Sequence, residues 1–112
     1  MIARLECTAN SDGLLESIYR ACLVEELVSR GLTVKIEVPM PVYWNGRKLE
    51  AGYRADLLVN DLVIVELKAV SVLTPVDQAQ VLTYLKLSGK RVGLLLNFHV
   101  ALMKDGIKRF IL

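Results

Sequence analysis

The stretch Gly52-Tyr53-Arg54-Ala55-Asp56-Leu57-Leu58-Val59-Asn60-Asp61-Leu62-Val63-Ile64-Val65-Glu66-Leu67-Lys68 decides the fold of this chain. Two apolar runs, 57–59 and 62–65, flank the turn residues Asn60 and Asp61. Runs of this length bounded by turn residues read as paired strands, and a short turn makes the pair antiparallel. The ionisable residues of both strands sit at the ends away from the turn. In the second strand, alternation places Glu66 and Lys68 on one face with Ile64, and Val63, Val65 and Leu67 on the other. The position of Asp56 depends on register. A three-residue turn over 60–62, or a bulge, sets Asp56 across from Glu66 and on its face. A strict two-residue Asn60-Asp61 turn sets Asp56 opposite Val65, on the wrong face.

Working outward, 33–43 reads as a strand with Val34, Ile36 and Val38 on one face. Pro39 and Pro41 suit an edge or a strand end. Asn45-Gly46 is a hairpin signal, followed by a second strand over about 48–59 and a third over 62–70. Upstream, Asn10, Ser11 and Asp12 offer caps for a helix over about 12–29 that stops at Gly31. Downstream, Thr74-Pro75 opens a helix that runs to about Ser88 and ends at Gly89. An apolar strand over 91–97, a turn at Asp105-Gly106 and a short strand over 107–112 complete the chain. The order predicts an α/β fold: a helix, a three-strand antiparallel meander, a crossover helix, a parallel strand and one further strand. No linker or repeat divides it, so 1–112 reads as one domain.

Composition bounds the function. Of the 112 residues, 54% are hydrophobic, above the usual share for a domain whose small core buries little. Excess apolar surface predicts a partner interface, here a homodimer. No apolar run approaches the roughly 20 residues needed to span a bilayer. The N-terminal residues do not form a signal peptide, so the expected address is cytoplasmic, with no membrane partner. Cys7, Cys22 and the single His99 lack zinc spacing. Both cysteines are expected as free thiols, with Cys22 buried on the first helix. The net charge of +2 neither demands nor forbids nucleic acid.

Two charges inside an apolar strand need a reason. On an edge strand, Glu66 and Lys68 could be a solvated surface pair worth little. If Asp56 converges on Glu66, however, two carboxylates repel and one is driven toward protonation. A hard divalent cation relieves this. Magnesium prefers carboxylate and carbonyl oxygens, which Asp56, Glu66 and the Leu67 carbonyl would offer. Lys68 would then orient water or stabilise charge on a phosphate, as phosphodiester hydrolysis requires. Glu16 and Tyr19 lie three apart on the first helix, and Gln80 and Tyr84 four apart on the second. Each pair shares a helical face. By local physics alone, Glu16 is an ordinary first-turn glutamate favoured by the helix dipole, and Gln80 and Tyr84 an ordinary amphipathic face.

Taken together, Gly13-x-x-Glu16-x-x-Tyr19, Gly52-Tyr53-Arg54-Ala55-Asp56, Val65-Glu66-Leu67-Lys68-Ala69, Gln80-x-x-x-Tyr84, 93–98 and the Lys104 to Arg109 stretch resemble the GxxExxY family of small prokaryotic proteins. That family is grouped with the PD-(D/E)XK nucleases, and the motif order is similar to nucleases of the RecB type. The resemblance implies a restriction-endonuclease-like core and a metal-dependent nuclease acting on nucleic acid, DNA in the first instance, with Mg2+ or Mn2+. It implies Asp56 and Glu66 as metal ligands, Lys68 as catalytic lysine and Glu16 completing an acidic cluster. It implies Gln80 and Tyr84 near substrate phosphates. Arg54 and Tyr19 are added here as substrate contacts. The chain departs from the family before the first motif, where 8–12 replaces a Leu-Gly-Pro-Gly-like turn and the family histidine is absent. The expectation is either a truncated N-terminal helix or a start that lies further upstream. The alternative function is a non-catalytic module on the same fold that binds nucleic acid or protein.

Overall fold

A computed structural model describes residues 16–49, 52–99 and 103–112. The first helix, α1 (Glu16–Ser29), closes as the sequence predicts. Leu32 N–H bonds to the Leu27 carbonyl and Gly31 N–H to that of Val28. Gly31 takes φ +83°, the left-handed residue that this Schellman closure requires. The second helix, α2 (Pro75–Ser88), starts on a capping box formed by Thr74 and Asp77 and ends at Gly89. The predicted start of the first helix lies outside the described residues.

Seven strands are described: β1 (Val34–Pro39), β2 (Val42–Trp44), β3 (Arg47–Leu49), β4 (Arg54–Val59), β5 (Val63–Lys68), β6 (Val92–Asn97) and β7 (Ile107–Ile111). Five of them form one sheet in the order β1-β4-β5-β6-β7. Only β5 and β6 run parallel, and α2 joins them. A single-turn 3-10 helix, Met103–Gly106, precedes β7. The predicted α/β core is therefore present, with one correction. The two long strands expected over 33–43 and 48–59 are each divided, and β2 with β3 forms a separate two-stranded hairpin. Met40-Pro41 interrupts the first, since proline cannot donate to a ladder. Gly52, at φ +74°, turns the chain back into the sheet.

The helices cover opposite faces. Leu23 and Leu27 of α1 pack on Leu57, Val59, Val65, Leu67 and Leu96. Tyr84 and Leu85 of α2 pack on Ala55, Leu58, Ile64 and Met40. Cys22 is correspondingly not on the core-facing stripe of α1. It is half-buried and disulfide-bonded, not the buried free thiol expected from sequence; Cys7 lies outside the described residues. Among the described residues no helix is long and apolar enough to cross a membrane.

The register between β4 and β5 resolves the alternatives left by the sequence. Asn60 and Asp61 both take positive φ, 52° and 57°, and Leu62 N–H bonds to the Val59 carbonyl. This is the two-residue turn with both central residues left-handed. Yet Val59 pairs with Val63, Leu58 with Ile64 and Leu57 with Val65. Leu62 is thus an extra, exposed residue between turn and ladder, a bulge that shifts the register by one. That shift carries Asp56 across from Glu66.

Close seating of α2 depends on Gly93 in β6. A Cβ there would lie 2.7 Å from Val81 Cγ1 and 3.4 Å from the Leu85 methyl carbons. Gly93→Ala should therefore overpack this layer and destabilise the protein by about 1–3 kcal/mol. In urea unfolding the midpoint should fall with an unchanged slope. A midpoint equal to that of the wild type would count against this packing.

Candidate active site

The site lies where β4 and β5 part. Their ladder covers three residue pairs, from Val59 with Val63 to Leu57 with Val65. Beyond it the main-chain donors still need acceptors, and side chains supply them. Asp56 N–H donates to Glu66 Oε1 at 2.8 Å, and Leu67 N–H donates to Asp56 Oδ2 at 2.8 Å. Each carboxylate therefore caps the other strand, and each keeps one oxygen outside these bonds. The alternation of faces also breaks here. Leu57 and Val59 face α1, whereas Ala55 and Leu58 face α2. The β1 partner of Asp56 in register would be Glu37, which the ladder skips and which takes φ +51°, a strained conformation for a residue with a side chain.

Asp56 opens into a cleft of about 240 Å³ lined also by Glu16, Ser17, Arg20, Glu37 and Leu67. Arg20 of α1 bridges to Glu37 of β1 at 3.2 Å, tying the helix to the sheet at the wall of this cleft. Glu66 is buried, at 3% exposure. Burial and then the neighbouring Asp56 charge raise its pKa to about 8, while the Asp56 N–H and Lys68 oppose the rise. Lys68 points toward α2, with Nζ 3.7 Å from Asp77 Oδ1. Asp77 is held by the Thr74 N–H at 2.9 Å and the Thr74 hydroxyl at 3.1 Å. The Thr74 N–H is the main reason its pKa is lowered, so it stays anionic opposite Lys68.

On the α2 side, the Gln80 amide donates to Tyr84 Oη at 2.8 Å. Burial and then the Glu66 charge push the Tyr84 phenol up, so it remains a neutral hydroxyl. Tyr19 is buried and stacks on Phe98 with ring centroids 4.6 Å apart. Arg54 is exposed and lines a different groove, beside the β2–β3 hairpin. The structure thus brings Asp56, Glu66 and Leu67 into direct contact, sets Glu16 on the same cleft, and places Lys68 and Tyr84 beside Glu66. Arg54 and Tyr19 lie apart from that centre. Among the described residues no three His, Cys, Asp or Glu side chains are grouped to hold a metal ion.

Two polar residues that support the site were missed in the sequence. Asp77 could have been found, because Thr74-Pro75-Val76-Asp77 fits the capping-box pattern. Asn97 could not. It is buried, accepts the Val70 N–H at 3.1 Å and donates to the Val70 carbonyl at 2.9 Å. This clamp joins the end of β6 to the segment just after Lys68, a contact between residues 27 apart with no local signal.

The Glu66 shift has a consequence for stability. Its folded pKa, about 8, lies above the ordinary 4.5. Between these values the unfolded chain has lost a proton that the folded chain keeps, so metal-free stability falls as pH rises from about 4.5 to about 8. One pKa unit corresponds to about 1.4 kcal/mol, so the loss is on the order of a few kcal/mol. Glu66→Gln should flatten this dependence and melt higher than the wild type at pH 8 with a chelator present. Parallel Tm–pH curves for the two proteins would remove Glu66 as the source.

Comparison with known proteins fits this geometry. A family model for the PD-(D/E)XK nuclease superfamily matches residues 8–110. No curated protein and no solved structure matches the chain. The match spans nearly the whole sequence, and the chain belongs to the PD-(D/E)XK nuclease superfamily.

Proposed function

We propose that this protein is a metal-dependent phosphodiesterase that hydrolyses nucleic acid, DNA in the first instance, with Mg2+ or Mn2+ as cofactor. Within the superfamily we place it with the GxxExxY proteins, on the motif built from Gly13, Glu16 and Tyr19. The observation that carries the activity is the meeting of Asp56 and Glu66. Two carboxylates share one part-buried junction, and the buried one, Glu66, stays protonated to about pH 8 when nothing else neutralises it. Such a pair suits a hard cation, which takes the place of the proton.

The donors for the cation are the remaining oxygens of Asp56 and Glu66 and the Leu67 carbonyl. When bound, a divalent cation supplies Lewis acidity to the phosphate and acidifies water. The protein's own groups do the rest. Burial of Glu66 keeps competing water away from one side of the junction. Lys68, released from or shared with Asp77, places a positive charge beside the scissile phosphate and stabilises charge as it develops. Tyr84, kept neutral and oriented by Gln80, offers a hydroxyl to a phosphate oxygen. Glu16, at the start of α1, faces the same cleft and can accept a proton from water there. A second reading, a non-catalytic binding module, is favoured by the ion pair with Asp77 that occupies Lys68.

Calorimetry with manganese separates the two. The wild type should bind, and Asp56→Ala and Glu66→Ala should each weaken binding by at least about 100-fold, or about 2.7 kcal/mol. Lys68→Ala should keep metal binding and lose about 10²–10³-fold in cleavage of labelled DNA. A wild type that binds no metal supports the non-catalytic module.

A further inference from the structure

The β2–β3 hairpin is absorbed by neither the core nor the acidic junction. Its turn, Asn45-Gly46, has positive φ at both residues, 51° and 74°. Its register pairs Tyr43 with Lys48 and Trp44 with Arg47. Directly paired residues share a face, so the hairpin has two distinct sides. Tyr43 and Lys48 look into a groove of about 590 Å³ lined also by Tyr53 and Arg54. Trp44 and Arg47 are on the back. The groove is built at its base, where Met40 N–H donates to the Tyr53 carbonyl at 2.9 Å and the Met40 side chain is buried.

The groove offers two half-exposed phenol rings and two cations. Tyr43 is 62% exposed and Tyr53 48%. Neither Lys48 nor Arg54 makes an ion pair among the described residues. One wall of the groove also reaches the surroundings of the acidic junction. The Tyr53 ring meets Tyr84 edge to face at 6.2 Å, and Tyr84 adjoins Glu66.

We infer that this groove grips an unpaired strand of nucleic acid, with bases stacked on Tyr43 and Tyr53 and phosphates on Lys48 and Arg54, and leads it to the acidic junction. The inference rests on the phosphodiesterase reading and names its substrate class. Exposed rings can stack only on bases that are not already stacked in a duplex. A protein that holds a duplex by its backbone is usually more basic than a chain of net charge +2.

Fluorescence anisotropy of short labelled DNA and RNA single strands, and of the matching DNA duplex, tests this in the presence of a chelator. Either single strand should bind more tightly than the duplex. Tyr43→Ala should weaken binding by about 5- to 150-fold, and Tyr43→Phe should restore it. Lys48→Ala should reduce the slope of log affinity against log salt by about 0.7. Trp44→Ala, on the back of the hairpin, should change neither. A preference for duplex, or a Trp44→Ala effect equal to that of Tyr43→Ala, overturns the inference, as does failure of single strands to bind. Manganese calorimetry on the same preparation keeps the two readings apart. Metal bound without oligonucleotide rejects the groove and leaves the junction standing, and the converse rejects the junction alone.

Discussion

The rest of the structure depends on the exchange of hydrogen bonds between Asp56 and Glu66 across the parting of β4 and β5. Two acids side by side are costly when one is buried, because burial and the neighbouring Asp56 charge both disfavour the charged form of Glu66. They persist here because each satisfies a main-chain donor that the ended ladder leaves without a carbonyl. Removing either acid would strand an N–H as well as remove a charge. The apolar residues on the turn side, Leu57 to Val59 against Val63 to Val65, hold the strands together. The junction is thus the place where sheet pairing is traded for a pair of acceptors.

The far end of β5 is fixed from several directions. Phe98 N–H bonds to the Lys68 carbonyl at 2.8 Å, and Asn97 clamps Val70. Phe98 in turn carries the Tyr19 ring from α1. Lys68 therefore leaves a firmly held backbone, and its side chain is steered by Asp77 in the first turn of α2. The capping box that starts the helix and the partner of the lysine are one and the same carboxylate, so helix initiation and lysine placement are coupled. This suits a site that must hold charged groups in fixed relation, where small displacements are expensive.

Much of this was legible in the sequence, for identifiable reasons. Both helices carry their own start or stop signals, and Thr74, Pro75, Gly31 and Gly89 act locally. The alternation Val63 to Lys68 is also local. The register was legible only as a choice, because Asn60-Asp61 supports a two-residue turn and nothing nearby announces that Leu62 bulges. The division of the long hairpin was half visible. Pro39, Pro41 and Gly52 mark breaks, but whether the outer part stays in the sheet depends on packing against residues far away. Where Tyr19 and Arg54 lie was not legible, because it depends on Phe98, which stacks on the first, and on the hairpin groove that the second lines.

The break in alternation at Asp56 shows why the site could not be read from periodicity. Ala55 and Leu58 face the same helix although they lie three positions apart, and Val34 and Val38 face opposite helices although they lie four positions apart. Both strands change face at the same level, where Glu37 adopts its left-handed conformation. An undisturbed strand would send Asp56 to the α2 side with Glu66, wholly into the core. The change of face turns it toward the cleft beneath α1, while its main chain still donates to Glu66. One acid consequently stays buried and the other meets solvent, so the pair is accessible without being dissolved by water. That asymmetry arises at the level of the left-handed backbone at Glu37, where the Arg20–Glu37 ion pair ties β1 to α1.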